Sequence, residues 1–99
     1  MKTPEAYTHF IVSDPYFGQL VAKCFANPAQ GLRGKTVIDV GCGGGLMTVF
    51  FALNGATVIG IDIDQETLDA AREWATEWGV LNQCQFVQAK AETLPLAEF

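Results

Sequence analysis

The chain has 99 residues, 49% of them hydrophobic, with 11 acidic against 6 basic side chains and a net charge of −5. That length allows one small domain with a core, and the acidic balance argues against a nucleic-acid backbone as the main partner. Cys24, Cys42 and Cys84 form no C-x-x-C pair, so neither a disulfide framework nor a zinc site is indicated. No apolar run approaches a membrane span, and Met1-Lys2-Thr3-Pro4-Glu5 leads into no apolar signal region. A reducing cytoplasm is the expected setting.

Residues 1–13 pass from polar to apolar without a pattern that fixes their structure. Asp14-Pro15 then reads as a helix start, with Asp as N-cap and Pro at the first helical position. Phe17, Leu20, Val21, Cys24 and Phe25 follow at helical spacing and predict one apolar face. Asn27-Pro28 ends the helix and residues 31–34 read as loop, with Arg33 and Lys35 as a solvated rim.

Thr36–Val40 is a short β-branched run of the kind buried on both faces of a sheet. It breaks into Gly41-Cys42-Gly43-Gly44-Gly45, and an apolar stretch at 44–54 predicts a helix that Asn54-Gly55 stops. Glycine takes positive φ and lets a ligand approach the backbone. The helix start beyond it offers free N–H groups to polar or anionic ligand groups, and Asp39 adds a carboxylate at the strand end. Such a site suits a ligand that is cationic at one point and carboxylate-bearing at another.

A second buried run, Thr57–Asp62, ends in another carboxylate. Asp64 is the expected N-cap of a helix whose buried face is Leu68, Ala71, Ala75 and Trp78, closed by Gly79. Trp74 and Trp78, at i and i+4, read as packing. A third strand is expected at 85–88, before Ala89-Lys90-Ala91-Glu92. The order β-α-β-α-β requires a parallel sheet with right-handed crossovers: a Rossmann-like, three-layer α/β/α arrangement of which three strands, preceded by an N-terminal helix, make half. Asp62 lies at the carboxyl end of the second strand, beside the glycine turn, where it can accept both hydroxyls of a ribose. Ile63 can lie against an adenine face, and the loop around Ala91 and Glu92 reaches the same rim.

The dinucleotide fingerprint Gly-x-Gly-x-x-Gly/Ala fails here, because its last position falls on Leu46 or Thr48. Asp39-x-Gly41-x-Gly43-x-Gly45 instead resembles the first motif of class I S-adenosylmethionine-dependent methyltransferases. VIDVGCGGG at 37–45, VIGIDID at 58–64 and FVQAKAETLP at 86–95 together resemble the small-molecule branch that includes ubiquinone and menaquinone biosynthesis. The resemblance covers residues 34–99, about two-thirds of the chain, as a partial S-adenosylmethionine-binding domain after a lead and helix at 1–33.

It implies that Gly41 and Gly43, with Gly45 in the same motif, approach the methionine part of the cofactor. Asp39 would hold its amino group, Asp62 the ribose, and Ala91 the adenine through its backbone. Many relatives carry an acidic residue where this chain has Lys90, and an ammonium cannot accept the adenine hydrogen bond; Glu92 is the substitute at hand. In the family the next strand pairs with the free side of the first one. These residues alone therefore leave that strand as an exposed apolar edge, lack most of the acceptor pocket, and are expected to be inactive as a fragment. The acceptor is expected to be a small molecule. No catalytic acid or base stands out: His9, the sole histidine, precedes the matched region and reads as surface, and Cys42 reads as a small filler. Tyr7, Phe10, Tyr16 and Phe17 read as packing in preference to a lid. The alternative from another class is a non-catalytic binding or interaction module, completed by a partner chain or by self-association through the first strand's edge.

Overall fold

The computed structural model describes residues 3–24 and 32–93, without the side chains of Leu20, Lys23 and Cys24. The expected apolar contributions of Leu20, Cys24 and Phe25, the Asn27-Pro28 stop, Gly31, and the segment from Leu94 onward lie outside those residues.

The N-terminal lead is a helix, α1 (Pro4–Ser13). Thr3 caps it, its Oγ1 accepting the Ala6 N–H at 3.1 Å, and Pro4 occupies the first turn, where a missing N–H is harmless. Tyr7 and Ile11, one helical turn apart, supply the buried side. The exposed Phe10 and Val12 between and beside them blur the period in the sequence. α2 (Pro15–Cys24) begins at the expected cap: Asp14 Oδ2 accepts the N–H of Tyr16 at 3.0 Å and of Phe17 at 2.9 Å.

Three strands follow, β1 (Thr36–Val40), β2 (Thr57–Asp62) and β3 (Cys84–Gln88), all parallel in the order β1-β2-β3. α3 (Leu46–Leu53) joins β1 to β2, and α4 (Gln65–Glu77) joins β2 to β3. α3 is shorter than the 44–54 expected, because Gly45 has φ 91° and stands outside the helix as its N-cap. Both crossovers run in the same direction across the sheet, so right-handed connections put α3 and α4 on one face. The core agrees. Ile11, Val21, Val49, Phe50 and Ala75 from the helices pack with Val58, and with Val37, Cys84 and Phe86 of the same sheet face. The described residues thus supply the sheet and one helical layer of the doubly wound arrangement.

Of the two expectations for β1, burial on both faces and an exposed apolar edge, the structure has the second: Ile38 is 37% and Val40 50% exposed, whereas Val58 to Ile61 of β2 are all buried. β2 has a strand on each side. β1 is the sheet edge, flanked by β2 alone among the described residues, and its apolar residues facing away from the helices remain open.

Leu68, Ala71 and Ala75 form the buried face of α4 as the spacing predicts, and Gly79 closes it at φ 72°. Asp64 stands at the N-cap, but its side chain accepts from the Thr67 hydroxyl instead of a backbone N–H. Trp78 is half-buried and meets the Tyr7 ring edge-on at 4.7 Å between centroids. The Tyr7 hydroxyl donates to the Leu46 carbonyl at 2.6 Å and accepts from Trp74 Nε1 at 2.9 Å. α1 is thereby tied both to α4 and to the first residue of α3.

Candidate functional site

Parallel pairing brings the carboxyl ends of β1, β2 and β3 to one rim, with Asp39 opposite Gly60 and Asp62 opposite Gln88. The glycine turn folds over the end of β2. The N–H groups of Gly41 and Cys42 both donate to the Ile61 carbonyl, at 2.7 and 2.9 Å. Asp62 then clasps the turn: its Oδ2 accepts the Gly43 N–H and its Oδ1 the Asp64 N–H, each at 3.1 Å. A half-buried carboxylate is held by backbone donors on both oxygens, and its position is set by the turn itself.

A Cβ on Gly41, Gly43 or Gly44 would meet no atom within 4 Å. The turn is therefore lined by backbone facing open space, a cradle that side chains would fill. Gly45 differs. A Cβ there would lie 3.0 Å from Ala71 Cβ and 3.1 Å from Ala71 Cα, at φ 91°. It lets the start of α3 close onto α4, while its N–H donates to the Cys42 carbonyl at 3.2 Å.

Asp39 is also half-buried, and its Oδ2 accepts the Thr48 hydroxyl at 2.7 Å. Burial pushes its carboxyl above the ordinary carboxylate range, and the Thr48 hydrogen bond opposes that rise. Thr48 is fully buried and was not legible as a site residue, since it sits inside the apolar run Leu46–Leu53. Cys42 is buried, with Sγ 3.1 Å from where a Gly60 Cβ would stand. Burial first, then the neighbouring Asp39 and Asp62, push its thiol up to about 11. Such a thiol is not a nucleophile at neutral pH, and the small-filler reading holds.

Ile63, directly after Asp62, is 65% exposed on the rim. The loop beyond β3 is brought alongside by the Ala89 N–H, which donates to the Asp62 carbonyl at 3.1 Å. Gln88 Nε2 donates to the Ile63 carbonyl at 3.0 Å, a second tie that the sequence did not signal. Ala91 and Glu92 sit in a short 3₁₀ turn, Ala91–Thr93, with both side chains exposed. Lys90 is exposed, and its carbonyl accepts from Thr93. Asp39, Gly41, Gly43, Asp62, Ile63 and the Ala91–Glu92 turn therefore occupy one rim. His9 does not: it is exposed and lines a groove with Leu53 and Asn54, at the opposite end of α3 from the glycine turn.

Residues 37–99 match a family model described as a methyltransferase domain. The chain belongs to that methyltransferase family. It is a class I member, and the curated relatives it matches are ubiquinone biosynthesis O-methyltransferases. The ubiquinone biosynthesis O-methyltransferase of Aliivibrio fischeri is 48% identical over 64 residues, which is 65% of this chain and 26% of the relative. The enzyme of that name from Escherichia coli is 46% identical over 67 residues, 68% of this chain and 27% of the relative. The chain thus spans about a quarter of the length of the curated relatives it matches.

Among solved structures, magnesium protoporphyrin IX methyltransferase from Synechocystis PCC 6803, with bound S-adenosylhomocysteine, superposes with a TM-score of 0.62 at 28% identity. That match covers 92% of this chain and 36% of the other. An RNA methyltransferase from Salinibacter ruber shares the fold with a TM-score of 0.69 at 23% identity, over 86% of this chain and 53% of the other.

Proposed function

We propose that the rim formed by the glycine turn, Asp62 and the loop after β3 is the S-adenosylmethionine half-site of a methyltransferase. The observation that carries this reading is the Asp62 clasp, which fixes a carboxylate beside an open backbone cradle. The donor set fits the cofactor. Asp39 offers an anionic acceptor to an ammonium, the N–H groups at the start of α3 suit a carboxylate, and Asp62 keeps lone-pair capacity for ribose hydroxyls. Gly41 and Gly43 lie against the methionine part, and Gly45 holds the helix start that faces it. Ile63 offers an apolar surface to adenine, with the Ala91 backbone and Glu92 at its edge, where Lys90 cannot accept a hydrogen bond.

The cofactor brings an already activated methyl group, so this chain's residues bind and orient and none is assigned as catalytic. Rate in such a transfer comes chiefly from holding the two reacting centres close and aligned. The acceptor is proposed to be a small molecule, met in a pocket built largely by the remainder of a full-length enzyme, acting in the cytoplasm. Within that enzyme, residues 1–33 serve as a helical lead-in and residues 34–99 as part of the cofactor domain. A second reading is favoured by one observation, the exposed Ile38 and Val40 on the side of β1 that no strand flanks among the described residues. Strand addition there, by a second copy or another chain, would complete the sheet.

Calorimetric titration with S-adenosylhomocysteine, with Asp62→Ala alongside and the oligomeric state measured on the same sample, tests both. Saturable binding lost in the variant is the expected result. A folded, monomeric chain that binds nothing would overturn the half-site as an independent unit.

A further inference from the structure

The site has one polar side chain whose presence its surroundings do not explain. Thr48 lies in the first turn of α3, within a run that is otherwise apolar, and it is fully buried. A buried hydroxyl is unfavourable unless hydrogen-bonded. Valine has nearly the same shape and would pack there without that liability. A helical threonine commonly returns its hydroxyl to a carbonyl of its own helix. Here the hydroxyl instead crosses from α3 to β1 and donates to Asp39 Oδ2 at 2.7 Å. No other hydrogen bond to the Asp39 carboxylate is made among the described residues, so Oδ1 keeps its acceptor capacity at the strand end that leads into the glycine turn.

We propose that Thr48 is a positioning residue for the cofactor site: its buried hydroxyl anchors one oxygen of Asp39 so that the other is presented to the ammonium of the ligand. The proposal rests on the half-site reading for its ligand, but the Thr48–Asp39 coupling stands on the structure alone. A threonine at N3 is well placed for the task, because the start of α3 and the end of β1 are held together by the glycine turn between them. The coupling also has an electrostatic consequence. Burial disfavours the Asp39 carboxylate, and the Thr48 hydrogen bond favours it. Losing the hydroxyl should move the Asp39 titration to higher pH.

The other ionisable groups around Asp39 are few. The glycine turn brings the Cys42 thiol and β2 brings Asp62. α4 brings Arg72, whose guanidinium lies 5.6 Å from the centre of the Phe86 ring, in the row of the sheet that contains Asp39. α1 brings Tyr7, which bonds the Leu46 carbonyl. α3 itself carries no ionisable side chain.

The test compares the wild-type chain with Thr48→Val, which removes the hydroxyl, and Thr48→Ser, which keeps it. Carbon-13 NMR follows the Asp39 carboxyl carbon against pH without ligand, and calorimetry follows S-adenosylhomocysteine at neutral pH. The expected result is an Asp39 titration displaced upward in Thr48→Val and affinity weakened about tenfold, the scale of one hydrogen bond to a charged group. Thr48→Ser should stay near wild type in both. Wild-type titration and affinity in a folded Thr48→Val chain would overturn the proposal while leaving the half-site intact. A wild-type chain that binds nothing counts against the half-site, and the NMR arm then decides the Thr48–Asp39 coupling by itself.

Discussion

Gly45→Ala is expected to be strongly destabilising, for two separable reasons. The residue sits at φ 91°, where an L side chain clashes with its own backbone; that strain is about 1–2 kcal/mol. The added Cβ would also stand 3.0 Å from Ala71 Cβ and 3.1 Å from Ala71 Cα, on the buried face of α4. Neither atom is the far end of a flexible side chain, so relief requires α3 and α4 to separate, a change of the overpacking kind at about 1–3 kcal/mol. The sum, roughly 2–5 kcal/mol, is a large part of the total stability of a domain this size, about 5–15 kcal/mol.

Urea unfolding followed by far-ultraviolet circular dichroism measures it, with Gly44→Ala as the control. Gly44 has no positive φ and nothing within 4 Å of a Cβ, so its substitution should move the midpoint little. Ala71→Gly, introduced into Gly45→Ala, should recover a portion of the packing part and leave the φ part, because it removes Ala71 Cβ while Ala71 Cα still stands 3.1 Å away. Equal midpoints for Gly45→Ala and Gly44→Ala would refute the reasoning, and so would a double variant no more stable than the sum of its single changes predicts.

Two further outcomes follow from the same geometry. Asp39 is a carboxyl whose folded-state pKa is raised by burial. The stability it contributes is therefore full below the ordinary carboxylate value and lost as pH rises through the folded value, and Asp39→Asn should raise the melting temperature at pH 7 while abolishing S-adenosylhomocysteine binding; a lower melting temperature with binding intact would contradict this. Tyr7 is pushed up to about 12 by burial, against an ordinary value of 10.0. A raised folded pKa means the stability it contributes is full below pH 10 and is lost as pH climbs toward 12. Thermal melts from pH 9 to 12 should show that loss, and Tyr7→Phe should flatten it. Tyr7→Phe should also cost about 1–2 kcal/mol at neutral pH, through the unmet Leu46 carbonyl and Trp74 N–H.

What the sequence disclosed was local. The Asp14 cap, the three strands, the glycine turn and the strand-end carboxylates at Asp39 and Asp62 are all written in neighbouring residues, and the structure has them at those places. Features set by tertiary contact were not disclosed. α1 went unread because its buried pair, Tyr7 and Ile11, is interleaved with exposed apolar residues, and its anchor is Trp74, 67 residues on. Thr48 read as one more member of an apolar helix, since its partner lies on the preceding strand. The run of β1 by itself looks the same at an edge as at a sheet centre, so the exposure of Ile38 and Val40 was legible only through the strand order that the family resemblance implies. Nothing in the sequence indicated that Asp62 grips the turn through Gly43 before any ligand arrives, because that bond spans the whole β-α-β crossover.

The most direct test of the half-site is a nitrogen-15 chemical-shift map of the chain titrated with S-adenosylhomocysteine. Saturable shifts are expected at the amides of Gly41, Gly43, Asp62, Ile63 and Ala91, with the groove beside His9 and Asn54 unmoved. Shifts confined to α1, or scattered without saturation, would contradict it.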